Sequence, residues 1–295
     1  MTRNKLAVHT TLSENASRVL ERYEKELGAK NLVLEKALLN LDNSRFKAKH
    51  DVNNIDVNIK RMSTGIPSLD DSLEGGIPKG FSVIVTGPPG TGKTTFCVQI
   101  LMERIRNNEK CVFFSFEEDA EHLVQQFMRY GWDIGEAIDN GYLEIFGMSI
   151  ITSEEMTQIV DSYRPDVVVF DSLNVFSNPE EFRTAGTWRN VHRSLKRKKI
   201  TSLMVTEKKH GLETKQFDDY DFLGDGIIFL DTVPTNDINP TPMSVMVVQK
   251  MRSTKIDTSP QPFTFTETGI HSYGSMNASS KILRDRLQKN NSQEE

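Results

Sequence analysis

Four groups of residues in this sequence could do chemistry by type and spacing. Gly87-x4-Gly92-Lys93-Thr94 fits the P-loop pattern in full, inside the stretch FSVIVTGPPGTGKTT that runs from Phe81 to Thr95. Gly87, Gly90 and Gly92 lack a Cβ, so a loop through Pro88, Pro89 and Thr91 can curl around a phosphate with its N–H groups inward. A helix opening at Lys93, Thr94 and Thr95 would add its positive end. Lys93 would reach the β- and γ-phosphates and Thr94 would give its hydroxyl to Mg2+, which makes ATP and Mg2+ the expected ligands. Asp171 closes the apolar run of PDVVVFDS, where it would hold Mg2+ through its water shell and face Thr94 across neighbouring strands. A simple turn former is the alternative. Glu117 and Glu118 end another apolar run, placed to orient or deprotonate the water that attacks a γ-phosphate, or merely to favour a helix start. Lys250 and Arg252 alternate at the end of a strand-like segment, so both would lie on one face and address one anion. A cationic strand edge that discourages aggregation would look the same.

These groups need a scaffold that delivers them to one edge. Phe81 to Val85 reads as a buried strand running into the P-loop, and Thr95, Phe96, Val98, Ile100 and Leu101 as the helix behind it. Cys111 to Phe116 is near-continuously apolar, as a strand covered on both faces of a parallel sheet must be. A strand at Tyr142 to Phe146, a helix at Ser153 to Tyr163, and strands at Ile200 to Thr206, Gly226 to Leu230 and Ser244 to Gln249 follow. The pattern is α/β with a mostly parallel central sheet, whose ligands bind at the carboxyl ends of the strands. Glu207-Lys208-Lys209-His210 stands at that edge, with His210 a candidate nucleotide sensor. Residues 176–199 hold Phe182, Trp188 and the basic positions Arg193 and Lys196 to Lys199, read either as a nucleic-acid contact or as a solvated helix end.

Ser63-Thr64-Gly65-Ile66-Pro67, Leu69-Asp70, Leu73 and Gly75-Gly76-Ile77-Pro78-x-Gly80 lead into Thr86-Gly-Pro-Pro-Gly-Thr-Gly-Lys-Thr-Thr95. From about Arg61 to Tyr273 this resembles the KaiC branch of the RecA-like ATPases. The resemblance implies a Mg-dependent ATP hydrolase with Lys93, Glu117 and Glu118 as catalytic residues, Glu117 being the base and Glu118 assisting. It also implies that Lys250 and Arg252 reach the γ-phosphate bound by a neighbouring subunit. The chain would then be a head-to-tail homo-oligomer, expected as a hexameric ring, acting as a regulatory ATPase that switches a partner or a DNA-bound assembly. A DNA-dependent ATPase of the RecA/RadA-paralogue type, serving recombination or repair, is the competing reading. The KaiC clock protein carries two tandem ATPase domains, whereas this chain has length for one, and no convincing autophosphorylation pair is identifiable. A circadian role is therefore not implied.

The organisation expected is a module at 1–45, a linker at 46–60, the ATPase domain at 61–275 and a flexible tail at 276–295. The formal charge is −5, yet the first fifty residues hold ten Lys/Arg against six Asp/Glu, so the basic surplus is concentrated there. Leu6, Val8, Thr10 and Leu12 alternate as a short strand. Ser13 then caps a helix with Ala16, Val19, Leu20, Tyr23 and Leu27 on one face, and Leu32 to Leu41 repeat that spacing. Strand, helix, turn, helix in forty residues is too small to bury its own apolar surface and calls for pairing. The unit resembles the ribbon-helix-helix family of DNA-binding dimers, which implies duplex contact through Ala7, His9 and Thr11, with Arg3, Lys5 and the Lys30-Asn31 turn at phosphate. A dimerisation or docking module is the other reading, and a third is a DNA-binding transcription regulator working through residues 1–45. With 37% apolar residues, no apolar run of about eighteen and no apolar leader, neither membrane insertion nor secretion is indicated, and the cytoplasm is the expected location. Cys97 and Cys111 read as reduced core residues.

Overall fold

The computed structural model describes residues 13–27, 29–30, 32–34, 37, 58–147, 152–176, 186–208, 211–212, 221–234 and 242–273. Its contacts divide the chain into two compact units, Met1–Asn58 and Ile59–Glu295.

In the first unit helix α1 spans Glu14–Leu27. Ser13 Oγ accepts from Ala16 N–H at 3.4 Å, the N-terminal cap its position requires. Val19 and Tyr23, one turn apart on α1, remain 51% and 43% exposed. The expected strand at Leu6 to Leu12, the linker up to residue 57 and much of the second helix lie outside the described residues, although residues 32–34 are helical.

The second unit opens on a two-residue ribbon in which β1 (Arg61–Met62) pairs antiparallel with β2 (Ile77–Pro78). Between them α2 (Pro67–Ser72) starts on a proline at its first turn. Asp70 ties the ribbon to that helix, accepting from Thr64 N–H, Thr64 Oγ1 and Ser63 Oγ at 2.8 Å each. Strand β3 (Ser82–Gly87) follows, then α3 (Lys93–Arg106), β4 (Cys111–Ser115), α4 (Ala120–Met128), α5 (Ile134–Asp139) and β5 (Leu143–Gly147). The chain continues through α6 (Ser153–Tyr163), β6 (Val167–Asp171), α7 (Leu173–Phe176), α8 (Gly186–Lys198), β7 (Thr201–Glu207) and β8 (Gly226–Val233). It closes on β9 (Met243–Met251), β10 (Gln261–Thr266) and β11 (Gly269–Ser272).

Among the described residues the main sheet has nine strands in the order β11-β10-β9-β8-β3-β7-β6-β4-β5. The six from β8 to β5 run parallel, and β9, β10 and β11 are added antiparallel. The parallel strands are buried on both faces, which is why they read as unbroken apolar runs. Val83, Val85, Phe113, Val169 and Leu203 face one way, onto Phe96, Ile100 and Leu101 of α3. The residues between them, Ile84, Val112, Phe114, Val168 and Met204, face the other way, onto Met156 and Val160 of α6 and Val191 and Leu195 of α8. Phe170 and Phe146 stack on opposite sides of Phe114 at about 5 Å. Each such side chain taken fully out of water contributes about 1.5–3 kcal/mol, so the central strands are the least able to shift.

Cys97 and Cys111 are free and buried, as expected of core residues. Among the described residues no helix is long and apolar enough to cross a membrane. The basic end of α8 is partly paired: Lys196 with the buried Asp225, and Lys198 with Asp161 at the surface. That favours the solvated-helix-end reading of the run over a nucleic-acid contact.

Candidate functional site

The P-loop joins the carboxyl end of β3 to α3, and its backbone is pinned from below and above. Gly87 sits at φ +148°, where a Cβ would lie 1.9 Å from the Leu230 carbonyl oxygen of the adjacent β8. Gly92 caps α3 in the left-handed conformation with no side-chain cap on the helix. Its Cβ position lies 2.0 Å from the ring of Phe265, so only glycine lets β10 approach this closely. Pro89 and Gly90 form the exposed tip, while Thr91, Lys93 and Thr95 are buried. Thr91 Oγ1 and Lys93 Nζ both donate to the Pro88 carbonyl at 2.9 Å. The first N–H groups of α3 thus face the loop without a capping side chain, the arrangement in which a helix end receives an anion.

Thr94 Oγ1 donates to Asp171 Oδ2 at 2.6 Å. The sequence-based expectation that the two meet is met, but not across neighbouring strands, since β7 stands between β3 and β6. Thr94 spans the gap because it rides on α3, which lies over the sheet and crosses β7. Asp171 is 8% exposed, and burial pushes its carboxyl up to about 6, with Glu117 and Glu118 adding to the rise and Thr94 and Lys93 opposing it. Ser172 Oγ beside it is buried and finds no hydrogen-bond partner. A hydroxyl, a carboxylate short of positive charge and an unpartnered hydroxyl fit a hard, oxygen-seeking cation. Among the described residues no group of three or more His, Cys, Asp or Glu forms a metal cage, so such an ion would depend on phosphate oxygens for its other ligands.

Glu117 and Glu118 follow β4, whose Ser115 is level with Asp171. Glu117 is exposed. Glu118 takes Ser115 Oγ on its N–H at 3.0 Å, and its carboxylate lies 3.1 Å from His122 Nδ1. The pair therefore divides: Glu117 opens to the site, and Glu118 is engaged by His122 of the helix that follows it.

Lys250 and Arg252 stand apart from all of this. Lys250 is level with Ile227, and Ile227 with Ile84, three residues or about 10 Å along the strand before Gly87. A bulge opposite Ile227 and Ile228 falls at Gln249, and beyond it the pairing is regular, Lys250 being level with Ile227 and Met251, the last residue of β9, with Gly226. Arg252 belongs to the turn beyond the strand. Lys250 Nζ donates to the Gly224 and Asp221 carbonyls at 2.8 and 3.3 Å, and Arg252 Nη1 to Asp225 Oδ1 at 3.2 Å. Burial lowers the Lys250 pKa, with Arg252 adding to the fall and Asp221 opposing it.

Two residues at the site were given no role from the sequence: Glu207, which was placed only at the strand edge, and Phe265. Glu207 ends β7, and its Oε1 lies 3.7 Å from Lys93 Nζ. Burial lowers the Lys93 pKa against the opposing pull of Glu207 and, after it, of Asp171 and Glu117. The signal was available, since Glu207 closes a buried strand just as Asp171 does, but attention fell on His210, which lies outside the described residues. Phe265 was missed as well, and its contact with Gly92 has no local signature.

A family model described as the KaiC ATPase matches residues 62–276, and another described as a family N-terminal domain matches residues 12–45. The chain is 27% identical over 254 residues to the circadian clock oscillator protein KaiC of Acaryochloris marina, a match covering 77% of this chain and 46% of that protein. The chain thus spans about half the length of such clock relatives. It is also 27% identical over 236 residues to a UPF0273 protein of Aeropyrum pernix, covering 73% of this chain and 94% of that one. The crystal structure of a KaiC-like protein from Pyrococcus horikoshii matches with a TM-score of 0.64 at 25% identity, over 73% of this chain and all of the other.

Proposed function

This chain belongs to the KaiC family of ATPases, and from that premise we propose that it binds ATP with Mg2+ in the P-loop and hydrolyses it. The observation that carries the reading is the meeting of Thr94 with Asp171 at 2.6 Å directly beside a buried Lys93. The loop N–H groups would hold the phosphates, and Lys93 would leave the Pro88 carbonyl for them. Thr94 and Asp171 would hold the magnesium, which when bound neutralises charge developing on the phosphate oxygens. Glu117 orients the attacking water and takes its proton on a carboxylate oxygen as the new bond to the γ-phosphorus forms and ADP departs. Glu118, held by His122, supports Glu117 rather than acting itself.

Lys250 is level with Ile84, midway along β3, and Arg252 lies beyond β9 beside Asp225, whose N–H donates to the Ser82 carbonyl at the start of β3, away from their own P-loop. That supports their serving a neighbouring chain in a head-to-tail homo-oligomer, with a hexameric ring as the reading carried over from the family resemblance. The test of the core reading is magnesium-dependent ATP turnover by the full chain beside Lys93→Ala. Turnover that persists in the variant would sink it. For residues 1–45 the exposed Val19 and Tyr23 favour a dimerisation or docking role over direct contact with duplex DNA. Duplex binding that is lost on deleting residues 1–45 would reverse that preference.

A further inference from the structure

We propose that Asp225 is a positioning residue for Arg252, holding its guanidinium on its own chain until a neighbour docks, and that Lys196 stays behind to neutralise the carboxylate when the arginine leaves. The inference rests on the head-to-tail reading above. Two cations share one buried carboxylate here. Asp225 Oδ2 accepts from Ser82 N–H at 2.8 Å and pairs with Lys196 Nζ, while Oδ1 accepts from Arg252 Nη1 at 3.2 Å. One negative charge is set against two positive ones, and each cation weakens the other's hold. Burial brings the Lys196 pKa down to about 8, with Arg252 adding to the fall. One of the two is surplus.

Exposure decides which of them can go. The Lys196 side chain is 30% exposed, also donates to the Gly80 carbonyl at 3.4 Å and lies 5.3 Å from the centre of the Phe81 ring. The Arg252 side chain is 59% exposed and gives the carboxylate one hydrogen bond, although a guanidinium carries five donors. So exposed a pair is weak, and a phosphate that offers two oxygens to the same fork is the stronger partner. Asp225 cannot follow the arginine, because its N–H donates to the Ser82 carbonyl at 2.7 Å while its carboxylate takes the Ser82 N–H. The Arg252 backbone is fixed as well. Its N–H donates to the Asp225 carbonyl at 2.9 Å, and its carbonyl accepts from Thr254 Oγ1, which accepts in turn from Arg61 Nη1 at 3.0 Å. Departure is therefore a swing of the side chain alone. Without Lys196 that swing would leave a buried carboxylate with no countercharge, a far larger penalty than parting an exposed pair.

Sedimentation velocity of the full chain with magnesium and the non-hydrolysable analogue AMP-PNP gives the protein concentration at which half of it is assembled. Asp225→Asn keeps an acceptor oxygen for Ser82 N–H and Lys196 but turns an NH2 group toward Arg252. The arginine is then freed, and the half-point should fall about two- to tenfold. Lys196→Met leaves Arg252 as the one cation on the carboxylate, so the half-point should rise about two- to tenfold. Damage to the fold would move both variants upward. Half-points unchanged in both, or shifted the same way, overturn the proposal. An Arg252→Ala background should erase both shifts, and shifts that survive there also overturn it. If Glu117→Gln chains restore turnover to Arg252→Ala chains while the half-points stay where they are, the trans reading stands and only the role of Asp225 falls. Failure of that rescue removes both.

Discussion

Gly92 and Gly90 share one backbone conformation but not one environment, which lets packing be separated from strain. Gly92→Ala places an L side chain at φ +83°, and Gly90→Ala does so at +77°. That conformation costs a non-glycine residue about 1–2 kcal/mol, and at Gly90, with nothing within 4 Å of the Cβ position, this is the whole cost. At Gly92 the Phe265 ring must also retreat by about 1.5 Å to reach an ordinary carbon contact. Retreat loosens its edge-on contact with Phe263, whose ring centroid is 5.4 Å away, and overpacking of this kind adds about 1–3 kcal/mol. Gly92→Ala should therefore cost about 2–5 kcal/mol against about 1–2 for Gly90→Ala. In a Phe265→Ala background the cost of Gly92→Ala should fall to that of Gly90→Ala. Urea unfolding of the four variants measures this, and thermal midpoints should move about 2–4 °C per kcal/mol for a unit of this size. A Gly92→Ala cost no larger than that of Gly90→Ala, or one indifferent to Phe265, would refute the claim that β10 braces the P-loop.

Asp171→Asn keeps an acceptor for Thr94 without a buried charge, so metal-free protein should gain about 1–2 kcal/mol at pH 8 while magnesium-dependent turnover drops at least about a hundredfold. Unfolding curves and turnover assays on one preparation decide it, and a destabilised variant would count against the burial argument. His192, whose Nε2 lies 3.1 Å from Ser82 Oγ, is held neutral by burial and by Lys196, its pKa pushed down to about 4. A depressed folded-state pKa gives stability that is present above about 6.5 and lost as pH falls toward 4. After allowance for its partial exposure, the parent should lose about 1–2 kcal/mol more than His192→Gln between pH 7 and pH 5 in urea titrations. Mixing Arg252→Ala chains with Glu117→Gln chains should restore turnover that neither has alone, and absence of rescue would argue against a cation supplied in trans.

How much of this could be read without coordinates depended on whether the signal was local. The P-loop and Asp171 were legible because phosphate chemistry needs glycine, lysine and threonine at fixed offsets, and because strands covered on both faces are apolar throughout. Helix α6 begins on a capping box, in which Thr152 and Glu155 satisfy each other's backbone, and it runs over the residues expected. The β10–β11 hairpin was not legible: its register depends on β9, and Pro262 disguises its first strand. The β1–β2 ribbon is too short to show any period. Glu207 was passed over because its meaning depends on β7 lying beside β3, although 113 residues, 88–200, separate the end of β3 from the start of β7 in sequence.

Arg252 and the P-loop lie toward opposite ends of β3, because Arg252 N–H donates to the Asp225 carbonyl and Asp225 N–H to that of Ser82, and this has a numerical consequence if each cation pair serves the next chain. An open stack then always holds one complete site fewer than it has chains, because its last member receives nothing, whereas a closed circle wastes none. Turnover per chain would climb with protein concentration through short stacks and level off once the circle closes. A plot of specific activity against dilution would then report closure without any image of the assembly.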